Sequence, residues 1–412
     1  MSDFIFSRHN RPSGLLAVQL QSIYHDDLPA VYEFHGSWGS LAVTQSLYCG
    51  FAPVETEVHL CVIIGGPVLT FTDNRFLGGT DPTFGTRLLL KRWNSLHGIN
   101  WKDDLSGPFI AVRLNKVSGR LEVVTDLMSF IPLFQSESPV ELAIGTHIDL
   151  VARVAGCDRV YDSVSIADFI LHGVVTYPYT FYSAVKQLTP ASVHRWTLNN
   201  ESPSFQSRPY WQPLEVNPYR SLNDAAECLR EGLQRYVNAA TEGVHRVASF
   251  LSSGEDTRVV LAMIPRRCER DTFIFLDSLN REGRVAQAAA TANGANFKVI
   301  YRDEMRSLRV LSECSDLVGA GSDYSHVHSY GLHRSAALED YRLVFGGFSA
   351  DAFLKGTYIK KNPIFRRFPF LPFVKFGDQR KRNIEDCKFV SNHLLHSIKN
   401  RTENHEQLIG SF

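Results

Sequence analysis

Residues 245–264 read HRVASFLSSGEDTRVVLAMI, and the fold turns on what this run does. A short apolar strand, 246–251, meets Ser252-Ser253-Gly254, and a helical pattern over 255–263 begins at once. In a parallel sheet, ligands sit beyond the carboxyl ends of the strands, where this loop falls. The first turn of the helix offers unpaired N–H groups and the positive end of a dipole. Small residues let an anion approach that backbone, so a phosphate chain fits. Glu255 and Asp256 would repel bare phosphate, a conflict that a bridging Mg²⁺ removes. The same residues also read as a ligand-free helix capped by Ser253, with acids favourably placed in its first turn. No Walker A loop or GxGxxG fingerprint is present.

Around this run, strands are expected at 271–276, 297–301 and 341–345, with helices at 255–263 and 283–292 between them. Such alternation means a parallel sheet covered on both faces. Ser221 reads as the N-cap of a preceding helix that carries Leu222, Ala225, Leu229, Leu233 and Val237 along one stripe. A second strand-to-glycine turn, YRLVFGGFSADAFLKG at 341–356, again delivers an aspartate, Asp351. Asp256 and Asp351 on one sheet edge suit a shared metal and pyrophosphate. The first half reads as β-rich, with segments 109–114, 121–125 and 193–198 and one helix ending at Gly98. The polar, proline- and serine-rich segment 199–220 reads as a linker.

These residues carry a family resemblance. LSSGEDTR, 251–258, resembles the SGGxDS pyrophosphate loop of asparagine synthetases and their relatives, with Ser253 and Thr257 as conservative departures. FGGFSADAF, 345–353, is similar to their later SGEGxDE loop, Asp351 matching its metal-binding aspartate. Residues 282–292 resemble the helix after the family's second sheet strand. In the first half, 104–134 is similar to the glutaminase-domain run from LxGxFAF through GRL to D…PLY. AIGTHIDLVA, 143–152, resembles its FASEIKALL segment, and QLTPASVHRW with RPYW, 187–196 and 208–211, resembles its closing hairpin and exit.

The resemblance spans most of the chain in the right order. It implies an α/β protein of two domains, an α+β unit then an α/β unit. The first is a degenerate Ntn-hydrolase-like αββα sandwich over 1–205. The second is a parallel-sheet ATP pyrophosphatase (PP-loop) domain over 217–412, truncated at its carboxyl end. It further implies a ligase that takes ATP and Mg²⁺ and joins a small-molecule or peptide carboxylate to an amine through an acyl-adenylate; the sequence leaves the oligomeric state open, a homodimer being one option. Ser252, Ser253, Gly254, Glu255, Asp256 and Thr257 would cradle pyrophosphate. Asp256 and Asp351 would hold Mg²⁺, and Leu251, Phe275, Gly346 and Gly347 would line the nucleoside side.

Three departures qualify that expectation. Glutamine-using members present a cysteine after the initiator methionine, whereas Ser2 and Asp3 stand here and the first cysteine is Cys49. Glutamine hydrolysis is therefore not expected, and the first half reads as a structural relic. Phe348 occupies the place of the glutamate in SGEGxDE; relatives that close β-lactam rings have tyrosine there. A phenyl ring handles no protons, which disfavours aspartate as substrate and favours a specialised or peptide-cyclising ligase. The family's catalytic lysine lies farther along than this chain reaches. Lys355, Lys360, Lys361, Lys375, Lys381, Lys388 and Lys399 are the substitutes available, none within a motif.

Composition narrows the alternatives. A formal net charge of zero argues against nucleic-acid binding through bulk charge, and so against a tRNA-modifying ATP pyrophosphatase. Seven scattered cysteines without CxxC spacing suggest reduced thiols in the cytoplasm rather than disulfides or zinc. No signal peptide or bilayer-length apolar run is evident, so no stable membrane insertion is expected. His326, His328 and His333 have poor metal spacing and read better as a pocket-lining helix. The stretch 360–382 sets eight basic residues and interleaved phenylalanines against one acid, Asp378. It reads as a solvated face packed on a missing segment, or as a contact for a membrane, an acidic peptide or nucleic acid. A catalytically silent relative acting as a scaffold is the competing reading of the whole chain.

Overall fold

The computed structural model describes residues 3–25, 28–46, 48–77, 79–138, 141–198, 204–212, 218–320, 330–347, 350, 360–361, 374–375 and 390–410. Two six-stranded antiparallel sheets occupy the first half. One holds β1 (Phe4–Ser7), β2 (Val31–Gly36), β3 (Gly39–Thr44), β10 (Phe134–Ser136), β11 (Ala143–Gly145) and β12 (Val185–Gln187), in the order β12-β10-β11-β1-β3-β2. The other holds β4 (Val54–Glu55), β5 (His59–Gly65), β8 (Phe109–Asn115), β9 (Arg120–Thr125), β13 (Ser192–Thr197) and β14 (Ser204–Pro209), in the order β14-β13-β9-β8-β5-β4. Between β5 and β8, a two-stranded ribbon pairs β6 (Val68–Leu69) with β7 (Leu105–Ser106).

The apolar runs of these strands follow from burial on both faces. Along β5, Leu60, Val62 and Ile64 point between the two sheets, where they meet Phe4, Phe6, Leu41 and Val43. Cys61 and Ile63 point the other way, toward α2 (Phe84–Trp93). On the far side of the first sheet, α1 (Leu15–Gln21) and α3 (Ile148–Val154) pack on Ile5, Ala42 and Ala143. The layering is helix, sheet, sheet, helix, as the sequence led us to expect. A further helix, α4 (Ser163–His172), is capped by Asp162, which accepts a hydrogen bond from the Val164 N–H. Strand β14 lies within the stretch read as a linker. Its residues are exposed on both faces, so no apolar period marks it in the sequence.

His194 on β13 shows what this double burial costs. It is fully buried, stacks on Phe205 and shares a hydrogen bond with the Thr189 carbonyl. Burial pushes its imidazole down to about 4. The unfolded chain takes up this proton near pH 6.5 and the folded chain only near 4, so acid favours unfolding across that window. The loss should approach about 3 kcal/mol at the acid end, from roughly 1.4 kcal/mol per pH unit. Denaturant titrations from pH 7 to 4 should show this slope in the wild type and a flatter one in His194→Phe.

In the second half a four-stranded parallel sheet has the order β17-β16-β15-β18, comprising β15 (Arg246–Phe250), β16 (Glu269–Leu276), β17 (Asn296–Tyr301) and β18 (Val344–Phe345). Helices α5 (Leu222–Ala240), α6 (Glu255–Met263) and α7 (Arg281–Ala292) accompany it. Along β16 the side chains alternate. Ile274 and Leu276 join the core shared with α5, α7 and the outer face of the second antiparallel sheet, whereas Phe273 and Phe275 face Ala248 and Leu332. Ser221 caps α5 as expected, accepting the Asp224 N–H at 3.1 Å. The expected apolar stripe is buried only at its end: Val237 is 2% exposed, but Leu222 is 85% exposed.

Strand β18 is shorter than the expected 341–345. Tyr341 turns aside to Asp271, and Arg342 donates to the Gly79 carbonyl of the first half. Helix α8 (Arg306–Val318) also leans on the first half. The Ala320 N–H donates to Asp149, and His147 Nε2 shares a hydrogen bond with the Asp316 carbonyl. The remaining described elements are α9 (Leu332–Ser335), a ribbon of β19 (Lys360–Lys361) with β20 (Val374–Lys375), and α10 (Asn392–Gly410). Among the described residues no helix is long and apolar enough to cross a membrane.

Candidate functional site

From β15 the chain passes to β16 and β17 on one side, then returns to lay β18 on the other. The strand order therefore reverses between β15 and β18, and in open parallel sheets the crevice at such a point binds ligands. Both glycine turns singled out in the sequence arrive there. Leu251-Ser252-Ser253-Gly254 leaves β15, and Gly346-Gly347 leaves β18. They touch. A Cβ on Gly347 would lie 3.0 Å from Thr257 Cγ2 and 3.3 Å from Asp256 Cβ, so glycine permits the close approach.

The first loop is held by its own side chains. The Ser252 N–H donates to Thr257 Oγ1 at 3.1 Å, and the Gly254 N–H donates to Ser252 Oγ at 3.0 Å. The N-cap of α6 is Gly254, in extended conformation and without a side-chain cap, so Ser253 does not cap the helix. The acids of the ligand-free reading, Glu255 and Asp256, do lie in the first turn of α6, whereas its Ser253 cap is absent. Glu255 is exposed, while Ser252, Ser253, Asp256 and Thr257 are half-buried. Arg258, which the sequence reading passed over, donates from Nε to the Gly254 carbonyl at 3.1 Å. It sets a cation beside the loop.

The remaining predicted residues divide. The side chain of Leu251 is buried in the core, so only its backbone reaches the crevice. Phe275 packs beside Phe250 on the opposite face of the sheet from Leu251. Asp351, Phe348, Ser2, His326 and His328 lie outside the described residues, as does most of 360–382. His333 is exposed on α9. Lys399 sits on α10, 3.9 Å from Glu403. Among the described residues, no group of three or more His, Cys, Asp or Glu is placed to hold a metal ion.

In the first half, the start of β1 is a closed polar knot. Asp3 is buried and accepts from Tyr24 Oη and from Thr146 Oγ1 at 2.7 Å. Burial, reinforced by the Asp3 charge, pushes the Tyr24 phenol well above its ordinary value. One row of nucleophile-like order also appears: Ser40 Oγ is 2.9 Å from His35 Nδ1, and His35 Nε2 is 3.2 Å from Glu33. Ser40 is fully buried, and Glu33 accepts the Gly14, Leu16 and Ala17 N–H groups at the start of α1. The row is structural.

No protein-family model matches the sequence. No curated protein matches it either. Similar solved structures include an allosteric regulatory enzyme of purine biosynthesis, at 8% identity and TM-score 0.35 over 86% of this chain and 91% of that one. Glutamine phosphoribosylpyrophosphate amidotransferase from B. subtilis, complexed with ADP and GMP, is 10% identical with TM-score 0.33 over 88% and 94%. NH3-dependent NAD synthetase from Campylobacter jejuni subsp. jejuni, in complex with nitrate, is 13% identical with TM-score 0.23 over 43% and 93%. Likenesses of this size do not bear on activity; the fold is read from the sheet order and register above. Among the described residues this is a mixed α/β protein with two six-stranded antiparallel sheets, one four-stranded parallel sheet and two antiparallel ribbons.

Proposed function

We propose that this chain is an asparagine synthetase-like, ATP-dependent amide ligase that does not hydrolyse glutamine. The observation that carries the reading is the contact of Gly347 with Asp256 and Thr257 at the point where the strand order reverses. Two motif-like loops far apart in sequence meet where a pyrophosphate would lie. In this reading, N–H groups of the loop other than those of Ser252 and Gly254, which bond within it, and the dipole of α6 bind the pyrophosphate, and Arg258 adds positive charge. Mg²⁺, held through Asp256 and Asp351, would neutralise phosphate charge. A substrate carboxylate attacks the α-phosphorus and pyrophosphate leaves; an amine then displaces AMP from the acyl-adenylate. The chain's work is orientation and charge stabilisation rather than covalent chemistry.

The balanced net charge favours a small-molecule or peptide carboxylate over nucleic acid as substrate. The cytoplasm, the expected site of reduced thiols, and a homodimer complete the proposal. The first half would act as a scaffold, holding Ala320 through Asp149 and Arg342 through Gly79. The test is exchange of labelled pyrophosphate into ATP across a panel of carboxylates. Exchange that depends on one carboxylate class supports the ligase. Tight binding of Mg·ATP without exchange on any of them supports the silent scaffold.

A further inference from the structure

A second concavity lies at the opposite end of the parallel sheet. It has a volume of about 300 Å³ and is bounded by the amino-terminal ends of β15, β16 and β17 and by residues 336–341. Its floor is apolar: Phe273 and Ala336 are buried, and the Tyr341 ring meets Phe273 edge-on at 6.1 Å between centroids. Its rim is charged in both senses, by Arg246, Lys298 and Asp340.

Asp271 organises this rim from below. It is 7% exposed and uses both oxygens. Oδ2 accepts from Arg246 Nε at 2.7 Å and from Tyr341 Oη at 2.8 Å, and Oδ1 accepts from Asn296 Nδ2 at 2.7 Å. A buried carboxylate costs several kcal/mol of desolvation and returns it only through such partners. The result is a fixed Arg246, with its guanidinium carbon 4.8 Å above the Tyr341 ring. The terminal nitrogens of Arg246 have no acceptor among the described residues, and Lys298 reaches only the Ser335 carbonyl, at 3.4 Å. Asn296 spends its amide N–H on Asp271, which leaves its carbonyl oxygen as an acceptor. Ala337, at the lip, is held at φ 47°, a left-handed conformation that alanine adopts only under constraint.

Donors for an oxyanion, acceptors for an ammonium and an apolar floor thus converge on one small cleft. We propose that it is a second ligand site, separate from the phosphate crevice, and that it binds a small zwitterion of the α-amino acid class. Arg246 and Lys298 take the carboxylate, Asp340 and the Asn296 carbonyl take the ammonium, and the side chain lies over Phe273 and Ala336. The assignment does not depend on the ligase reading, because no residue is shared between the two sites.

The test uses the intact chain, with L-leucine, L-glutamate and L-lysine as probes by calorimetry. Acetate and ethylamine serve as half-ligand controls. Saturable binding of at least one amino acid, at least about tenfold tighter than either control, is expected. Lys298→Gln and Asp340→Asn should each weaken it about tenfold or more with the circular dichroism and melting midpoint unchanged, since both side chains are exposed. The proposal is overturned if no amino acid binds up to about 10 mM. It is equally overturned if acetate binds as well as the amino acids, or if neither substitution alters the affinity.

Discussion

Asp256→Ala is expected to lower the affinity for Mg·ATP by about a hundredfold or more while leaving the fold intact. Asp256 lies in the first turn of α6 and is half-buried, in contact range of the Gly347 turn. Truncating it removes one of the two carboxylates proposed to hold the metal. A charge-assisted contact of this kind is worth about 1.5–3 kcal/mol, or roughly ten- to a hundredfold in affinity, and loss of the bridging metal adds to that. Calorimetry on wild type and variant, with far-UV circular dichroism as the folding control, decides the matter. Gly347→Val should weaken binding too, by a steric route, because its side chain must displace Thr257 or part the two loops. If both variants bind Mg·ATP like the wild type, the crevice is not the phosphate site.

Glu122→Leu should destabilise the first half by roughly 2–3 kcal/mol, the cost of taking the charged acceptor from half-buried Arg113. Glu122 sits on β9 with its side chain 3% exposed. Arg113 donates to Oε2 from Nε at 2.9 Å, and Arg195 donates to Oε1 at 2.7 Å. The Arg113 guanidinium also lies 4.6 Å from the centre of the Trp93 ring and donates from Nη1 to Asn94 Oδ1 at 2.8 Å. Burial alone would raise the Glu122 carboxyl, but the two guanidinium groups outweigh it and hold the carboxyl below its ordinary value. A depressed carboxylate stabilises the fold above the unfolded-state pKa, and that stability is lost as pH falls through the lower folded value. Urea denaturation at pH 7 should show the full penalty. Below the usual carboxylate range the wild type should lose its advantage over the variant, apart from the His194 contribution common to both.

Residues 245–264 and 269–301 announced themselves because their apolar runs, small-residue turn and helical spacing are local properties. The observed strands β15, β16 and β17 and helices α6 and α7 lie within two residues of the expected bounds. Local pattern misled where neighbours decide. The Leu222 stripe of α5 has the period of a buried helix, yet its first turns find no core. Strand β14 has no apolar period at all and forms because β13 offers it a free edge, from Ser192↔Pro209 to Thr197↔Ser204. Arg258 drew no notice in the sequence, since an arginine one turn into a helix is ordinary until the loop carbonyl it binds is located.

The order of chemical parts was thus a matter of sequence alone: a β-rich first half, a parallel α/β second half, and two glycine turns each followed by an aspartate. Periodicity and turn chemistry act over a few residues, so a linear string records them. Only the tertiary structure decided that the two turns meet, that Ser253 leaves the helix end uncapped, and that Asp271, Arg246 and Tyr341 close around a second cleft. The meeting of the turns and the closing of the cleft are contacts across 25 to more than 80 residues, set by which strand lies beside which, and strand order is written in no single segment.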